Sequence, residues 1–182
     1  MSASKNNQNL NQLASGNDSI MVGILFNDGV IIAITMTSHL IFYLDDRIYC
    51  CARSTGYDHD SLLEVATELE EISSHTVGYK GALVAQALEL LTKKYENHQD
   101  CELLLAGEDV CGLHLFTLTS DGYTCACYAA LGPGADVAND YLGNNWKKDM
   151  SLKEAESLVR RTIAKSRGYN AKVDLCIVFK SH

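Results

Sequence analysis

The chain has 182 residues, with 15 Lys and Arg against 23 Asp and Glu, for a formal charge of −8. Hydrophobic residues make up 47% and charged residues 21%, which excludes a disordered chain and fits one globular domain. The acidic balance argues against a general nucleic-acid binder, whose phosphate affinity needs a basic face, and no apolar run approaches the ~20 residues of a membrane helix. The polar start also lacks the apolar core of a secretory signal.

Residues 1–18 form a polar leader rich in Asn and Gln, with too little apolar surface to offset ordering entropy; it is expected to be flexible. The character changes at Ser19. Ile20 to Phe26 and Val30 to Met36 are β-branched apolar stretches joined by Asn27, Asp28 and Gly29, a hairpin pattern. A second hairpin follows, Leu40 to Leu44 and Arg47 to Ala52, turning at Asp45 and Asp46.

Two helices come next. Leu62, Leu63, Ala66, Leu69 and Ile72 recur at helical spacing opposite Glu64, Glu68, Glu70 and Glu71, with Asp58 or Asp60 placed to cap the start. The second runs from about Gly81 to Tyr95. Three strands are then predicted: Glu102 to Gly107, Leu113 to Leu118, and Tyr123 to Leu131, the last putting Cys125 and Cys127 on one face. Gly132-Pro133-Gly134 ends that run, a helix starts near Ala135, and another starts at Ser151, where Glu154 completes a capping box. Gly168 closes this helix, and a final strand, Val173 to Phe179, reads as fully buried. Strands arriving as hairpins and helices arriving in pairs predict an α+β, four-layer αββα sandwich, with two antiparallel sheets between two helical layers over residues 19–182.

Seven cysteines, Cys50, Cys51, Cys101, Cys111, Cys125, Cys127 and Cys176, sit mostly in apolar runs without a C-x-x-C. They read as free thiols of a reducing, cytoplasmic or nuclear compartment. A strand sends Cys50 and Cys51 to opposite faces, which disfavours a bond between them.

Several stretches together resemble the proteasome β-subunit family, which has the N-terminal nucleophile hydrolase fold. They are Gly23 to Ala33, Ile48 to Cys51, Ala106 to Phe116, Lys147 to Val159 and Asp174 to Val178. Within the family the chain looks most similar to the trypsin-like β subunit, whose Gly-x-Asp-x-x-Gly-x-His-Leu segment matches Gly107, Asp109, Gly112, His114 and Leu115. The resemblance implies stacked seven-membered rings of α and β subunits. It also implies a threonine nucleophile exposed by self-cleavage after glycine, whose own amine acts as base.

The implied catalytic set is depleted. Counting back from Gly23, the nucleophile falls on Ser19 and the preceding glycine on Asp18. Thr35 stands for the aspartate that follows the second strand, and Leu40 for the lysine, with only Met36 to His39 between them where the family has a longer substrate-lining loop. Leucine cannot shift a neighbour's pKa by charge. Pro133 replaces the serine of Gly-Ser-Gly and has neither hydroxyl nor N–H, and Gly168 occupies the place of a further aspartate. The expectation is a non-catalytic subunit with no catalytic, cofactor or metal residues, working with other proteasome α and β subunits and with neither nucleic acid nor membrane. Two other readings stay open: an N-terminal serine peptidase after cleavage at Asp18-Ser19, and a free-standing interaction module.

Other candidates read more simply as structure. His39 beside Ser38 is a turn residue, Asp58, His59 and Asp60 are a helix start rather than a metal cluster, and His114 is a core or interface histidine. The Glu64 to Glu71 carboxylates form a solvated face or a subunit contact, and Arg160, Arg161 and Lys165 form a basic patch too small for nucleic acid.

Overall fold

A computed structural model describes residues 18–35, 41–53, 59–76 and 81–181. The chain forms β1 (Met21–Phe26), β2 (Gly29–Thr35), β3 (Phe42–Asp45), β4 (Ile48–Arg53), α1 (His59–His75), α2 (Val84–Tyr95), β5 (Glu102–Asp109), β6 (Gly112–Thr119), β7 (Gly122–Cys125), β8 (Tyr128–Leu131), α3 (Ala135–Asn145), α4 (Leu152–Arg167) and β9 (Val173–Phe179). One sheet has the order β8-β1-β2-β9 and the other β3-β4-β5-β6-β7, and every pairing is antiparallel.

The period-2 alternation of strand side chains builds the layers. On β2, Ile31 and Ala33 join the core under α3 and α4, whereas Val30, Ile32 and Ile34 enter the core between the sheets. On β5, Leu103 and Leu105 face α1 and α2, whereas Leu104 and Ala106 face inward. Strands buried on both faces read as continuous apolar runs, and three stacked cores give the αββα sandwich that the element order predicts. Gly23 marks a close approach of the sheets, since a Cβ there would lie 2.7 Å from Leu115 Cδ1.

Two expectations need correction. The run Tyr123 to Leu131 is not one strand: it breaks at Ala126 and Cys127, so β7 pairs with β6 in one sheet and β8 with β1 in the other. Ala126 N–H donates to Leu115 O (2.9 Å) and Leu25 N–H to Cys127 O (2.8 Å), so the segment crosses between sheets. The period-2 inference that Cys125 and Cys127 share a face therefore has no continuous strand to rest on. The final strand is also not fully buried: β9 is an edge strand, half-exposed along most of its length. Its apolar sequence serves α4 on one side and the inter-sheet core on the other.

Helix starts follow local chemistry in one case and tertiary chemistry in another. At α4, the Ser151 hydroxyl accepts from Glu154 N–H (3.4 Å) and Glu154 Oε2 accepts from Ser151 N–H (2.8 Å), the reciprocal box read from sequence. Helix α2 begins three residues later than Gly81. Val84 N–H donates to Asp109 Oδ2 (2.8 Å), so a carboxylate of the neighbouring sheet satisfies its first donor; Ala82 N–H, just before the cap, donates to Asp45 Oδ2 (2.8 Å), and Leu83 N–H donates locally to Gln86 Oε1 (2.7 Å). Helix α3 protects the β8 edge: Asn139 accepts from Ala130 N–H (2.9 Å) and donates to Ala130 O (3.0 Å), occupying both backbone groups that another strand would pair with.

Candidate functional site

The site begins where the chain enters β1. Ser19 has no exposed surface, and neither has Ile20. The β1–β2 ladder continues one step beyond its last strand pair: Thr35 N–H donates to Ile20 O (3.1 Å), and Ile20 N–H donates to Thr35 Oγ1 (3.0 Å). Thr35, where the resemblance implies an aspartate, is thus a neutral acceptor bound to the backbone beside the nucleophile position. A hydroxyl there satisfies a buried N–H but supplies no negative charge.

Gly132 closes the other side. Its φ is +105°, and a Cβ would come within 2.4 Å of Ser19 O, so a side chain is excluded by both backbone conformation and contact. Pro133 follows and Gly134 (φ +83°) starts α3, with Ala135 N–H donating to Gly132 O (3.1 Å). Pro133 supplies no hydroxyl between the two glycines, where the resemblance implies a serine. Ser166 of α4 lies against this turn, its hydroxyl donating to Gly134 O (3.4 Å). Gly168 is exposed and caps α4, its N–H donating to Ala164 O (2.8 Å) at φ +85°.

The structure therefore brings together Ser19, Thr35 and the Gly132–Pro133–Gly134 turn. Leu40, His39, Ser38, Asp58 and the leader residues 1–17 lie outside the described residues, and the side chain of His59 does as well. Asp60 falls inside the first turn of α1 rather than before it, where a carboxylate suits the positive end of the helix dipole. Sequence reasoning missed Arg167, the last residue of α4. Among the described residues, its buried Nε and Nη2 atoms have no hydrogen-bond partner. A basic residue in the last turn of a helix is ordinarily solvated, so only the burial of these nitrogens singles it out.

The Gly-x-Asp-x-x-Gly-x-His segment turns out to be a brace. Asp109 Oδ2 accepts from Val84 N–H, and Oδ1 accepts from Cys111 N–H (2.8 Å) and lies 3.0 Å from His114 Nε2. Burial pushes the Asp109 carboxyl up, but the hydrogen bonds from Val84, Cys111 and His114 outweigh it and hold the group below the usual carboxylate range. His114 stacks on Phe116, with ring centroids 5.8 Å apart, at a half-buried position. Beside it, Glu108 pairs with Arg47 and accepts from both Ser181 N–H (2.7 Å) and Ser181 Oγ (2.7 Å), tying the chain after β9 to β5. Arg47 also donates to Phe179 O. These contacts join hairpin, helix and last strand, and none of them touches Ser19.

The thiols divide by position. Cys50 faces α1 and α2 while Cys51 enters the inter-sheet core, so the two cannot approach each other. Burial raises both thiols far above the ordinary range, and pushes Cys101 up to about 12. Cys111, Cys125 and Cys127 are exposed and free. Among the described residues no helix is long and apolar enough to cross a membrane.

Comparison with known proteins agrees with this architecture. The family model described as "Proteasome subunit" matches residues 17–177. The chain is 28% identical over 181 residues to "Proteasome subunit beta type-7-B" of Arabidopsis thaliana, covering 89% of this chain and 66% of that protein. It is 28% identical over 185 residues to "Proteasome subunit beta type-2" of Saccharomyces cerevisiae, covering 91% and 70%. It is 24% identical over 184 residues to "Proteasome subunit beta type-10" of Rattus norvegicus, covering 91% and 67%. The chain thus spans about two thirds of the length of the curated relatives it matches. With two antiparallel sheets between paired helices and a family match across nearly all of its sandwich, the chain belongs to the proteasome subunit family.

Proposed function

We propose that this chain is a non-catalytic β-type subunit of the proteasome core particle. It takes part in proteasomal protein degradation by completing an assembly of other α and β subunits, without peptidase activity of its own. The observation that carries the reading is the complete burial of Ser19 beside a neutral Thr35. Catalysis by a terminal residue needs a hydroxyl that substrate can reach, a free amine as base, and charge that stabilises the developing oxyanion. Ser19 is fully buried, Gly132 packs against its carbonyl oxygen, and Thr35 brings a neutral hydroxyl where the resemblance implies a carboxylate. Leu40 and Pro133, in place of the lysine and serine that the resemblance implies, support the same conclusion from sequence. The free cysteines support a reducing compartment, and we assign the protein to cytoplasm and nucleus on that basis.

Native purification followed by intact-mass measurement and labelling with a peptide epoxyketone tests this reading. The epoxyketone requires both the hydroxyl and the amine of a terminal nucleophile. The expected result is co-purification with other proteasome subunits at fixed stoichiometry, an unlabelled chain, and no product beginning at Ser19. A covalent adduct on Ser19 would establish the serine-peptidase reading instead, and migration as a lone monomer would establish the free-standing module.

A further inference from the structure

The outer side of α4 carries a surface that the scaffold does not use. Two open cavities flank it, one of about 430 Å³ between α4 and the segment leading to β9, the other of about 340 Å³ between α3 and α4. Lys153, Ser157 and Arg161 line both. Spaced at i, i+4 and i+8, they form the ridge that separates the cavities. The larger cavity has an apolar floor, with Ala164, Ala171 and Val173 beneath the basic rim.

The charges on this ridge are unbalanced. Glu154 is engaged by Ser151, and Glu156 by Arg160. Lys153 and Arg161 are exposed, and among the described residues neither has an ion-pair partner. On a chain of net charge −8, a basic ridge over an apolar floor selects for the opposite pattern: carboxylates around an aliphatic side chain. Helix α1 of this same fold carries the same ingredients, with Leu63 54% exposed on a helix that also exposes Glu68, Glu70 and Glu71 and has no Lys or Arg along its length.

We propose that the α4 ridge and its flanking cavities receive an acidic helix of an adjoining subunit. An aliphatic side chain of that helix seats on the apolar floor, and its carboxylates meet Lys153 and Arg161. The inference rests on the subunit reading above and names the chemistry of one neighbour. A helix fits because a row of side chains at four-residue spacing is the ridge that packs into a partner helix's groove.

The test uses the native assembly. Carbodiimide joins an amine directly to a carboxylate, so Lys153 is expected to cross-link to an Asp or Glu within a helix of another subunit. Its amine should also acylate about tenfold more slowly in the assembly than in the isolated chain, as burial at a contact requires. Incorporation of K153E/R161E should fall about tenfold, whereas K180E, on the chain after β9, should incorporate normally. Equal Lys153 reactivity in both states, normal incorporation of the double variant, or a cross-link to a carboxylate outside any helix overturns the inference and leaves the subunit reading standing. A chain that never co-purifies with other subunits overturns both.

Discussion

Replacing Asp109 with Asn tests whether the Gly-x-Asp-x-x-Gly-x-His segment is a structural brace. The carboxylate accepts at both oxygens, from Val84 N–H on one and from Cys111 N–H and His114 on the other. Asparagine keeps the shape but offers one oxygen and one NH2, so at least one buried donor must face another donor. Hydrogen bonds to a charged group contribute about 1.5–3 kcal/mol each, and a stranded buried donor costs about 1–3 kcal/mol. A loss of about 2–4 kcal/mol follows, which for a chain of this size lowers Tm by roughly 5–15 °C. Calorimetry of the full chain at pH 7 measures it directly. The pH dependence adds a second readout. Asp109 has a folded-state pKa below its unfolded value, so its contribution is complete above the unfolded pKa near ~3.9 and is lost as pH falls through the folded value. The gap between wild type and D109N should therefore narrow on acidification below about pH 4. A variant within about 2 °C of wild type at pH 7, or a gap that widens in acid, would refute the reasoning.

Thr35→Val removes the hydroxyl that accepts from the buried Ile20 N–H and should destabilise the chain by about 1–3 kcal/mol in urea unfolding, while Thr35→Ser, which keeps the oxygen, should stay within about 1 kcal/mol; equal losses in the two variants would point to packing instead. Maleimide at neutral pH should modify Cys111, Cys125 and Cys127 on the native chain while Cys50, Cys51 and Cys101 react only as the protein unfolds, which peptide mapping resolves. Arg167→Met should raise stability by about 1–3 kcal/mol, because it removes buried guanidinium nitrogens that have no partner among the described residues; a fall would refute the reasoning.

Much of the fold was legible because its signals are local. The two opening hairpins, the Ser151–Glu154 box and the Gly168 cap each depend on residues within a few positions of one another, so reading them requires no knowledge of the sheet order. The opposite facing of Cys50 and Cys51 follows from strand period alone. The errors came where a distant partner overrode the local pattern. The start of α2 lies later because Asp109 caps its first N–H from the sheet while Asp45 holds Ala82 just before it. The run from Tyr123 to Leu131 looked continuous because alternation does not record that its halves pair with different sheets.

The candidate site was legible only in its residue types. Ser19, Thr35 and Pro133 could be assigned by counting along the resemblance, but counting does not say that Ser19 is sealed or that Thr35 Oγ1 accepts from Ile20. Arg167 gave no signal at all, because a basic residue near a helix end is ordinarily solvated and dipole-favoured.

By itself, the sequence determined the sandwich and its strand-by-strand apolar patterning, since burial on both faces of a strand demands side chains that lose nothing on leaving water. It also determined which chemical groups are present at the nucleophile position and its neighbours. Tertiary structure alone decided how those groups meet: the β1–β2 ladder and the Gly132 turn close over Ser19, and a carboxylate of the second sheet caps α2. The physical reason is range. Hydrophobic periodicity acts along the chain, whereas hydrogen-bond satisfaction in the core is settled among residues that only the folded sheets bring together.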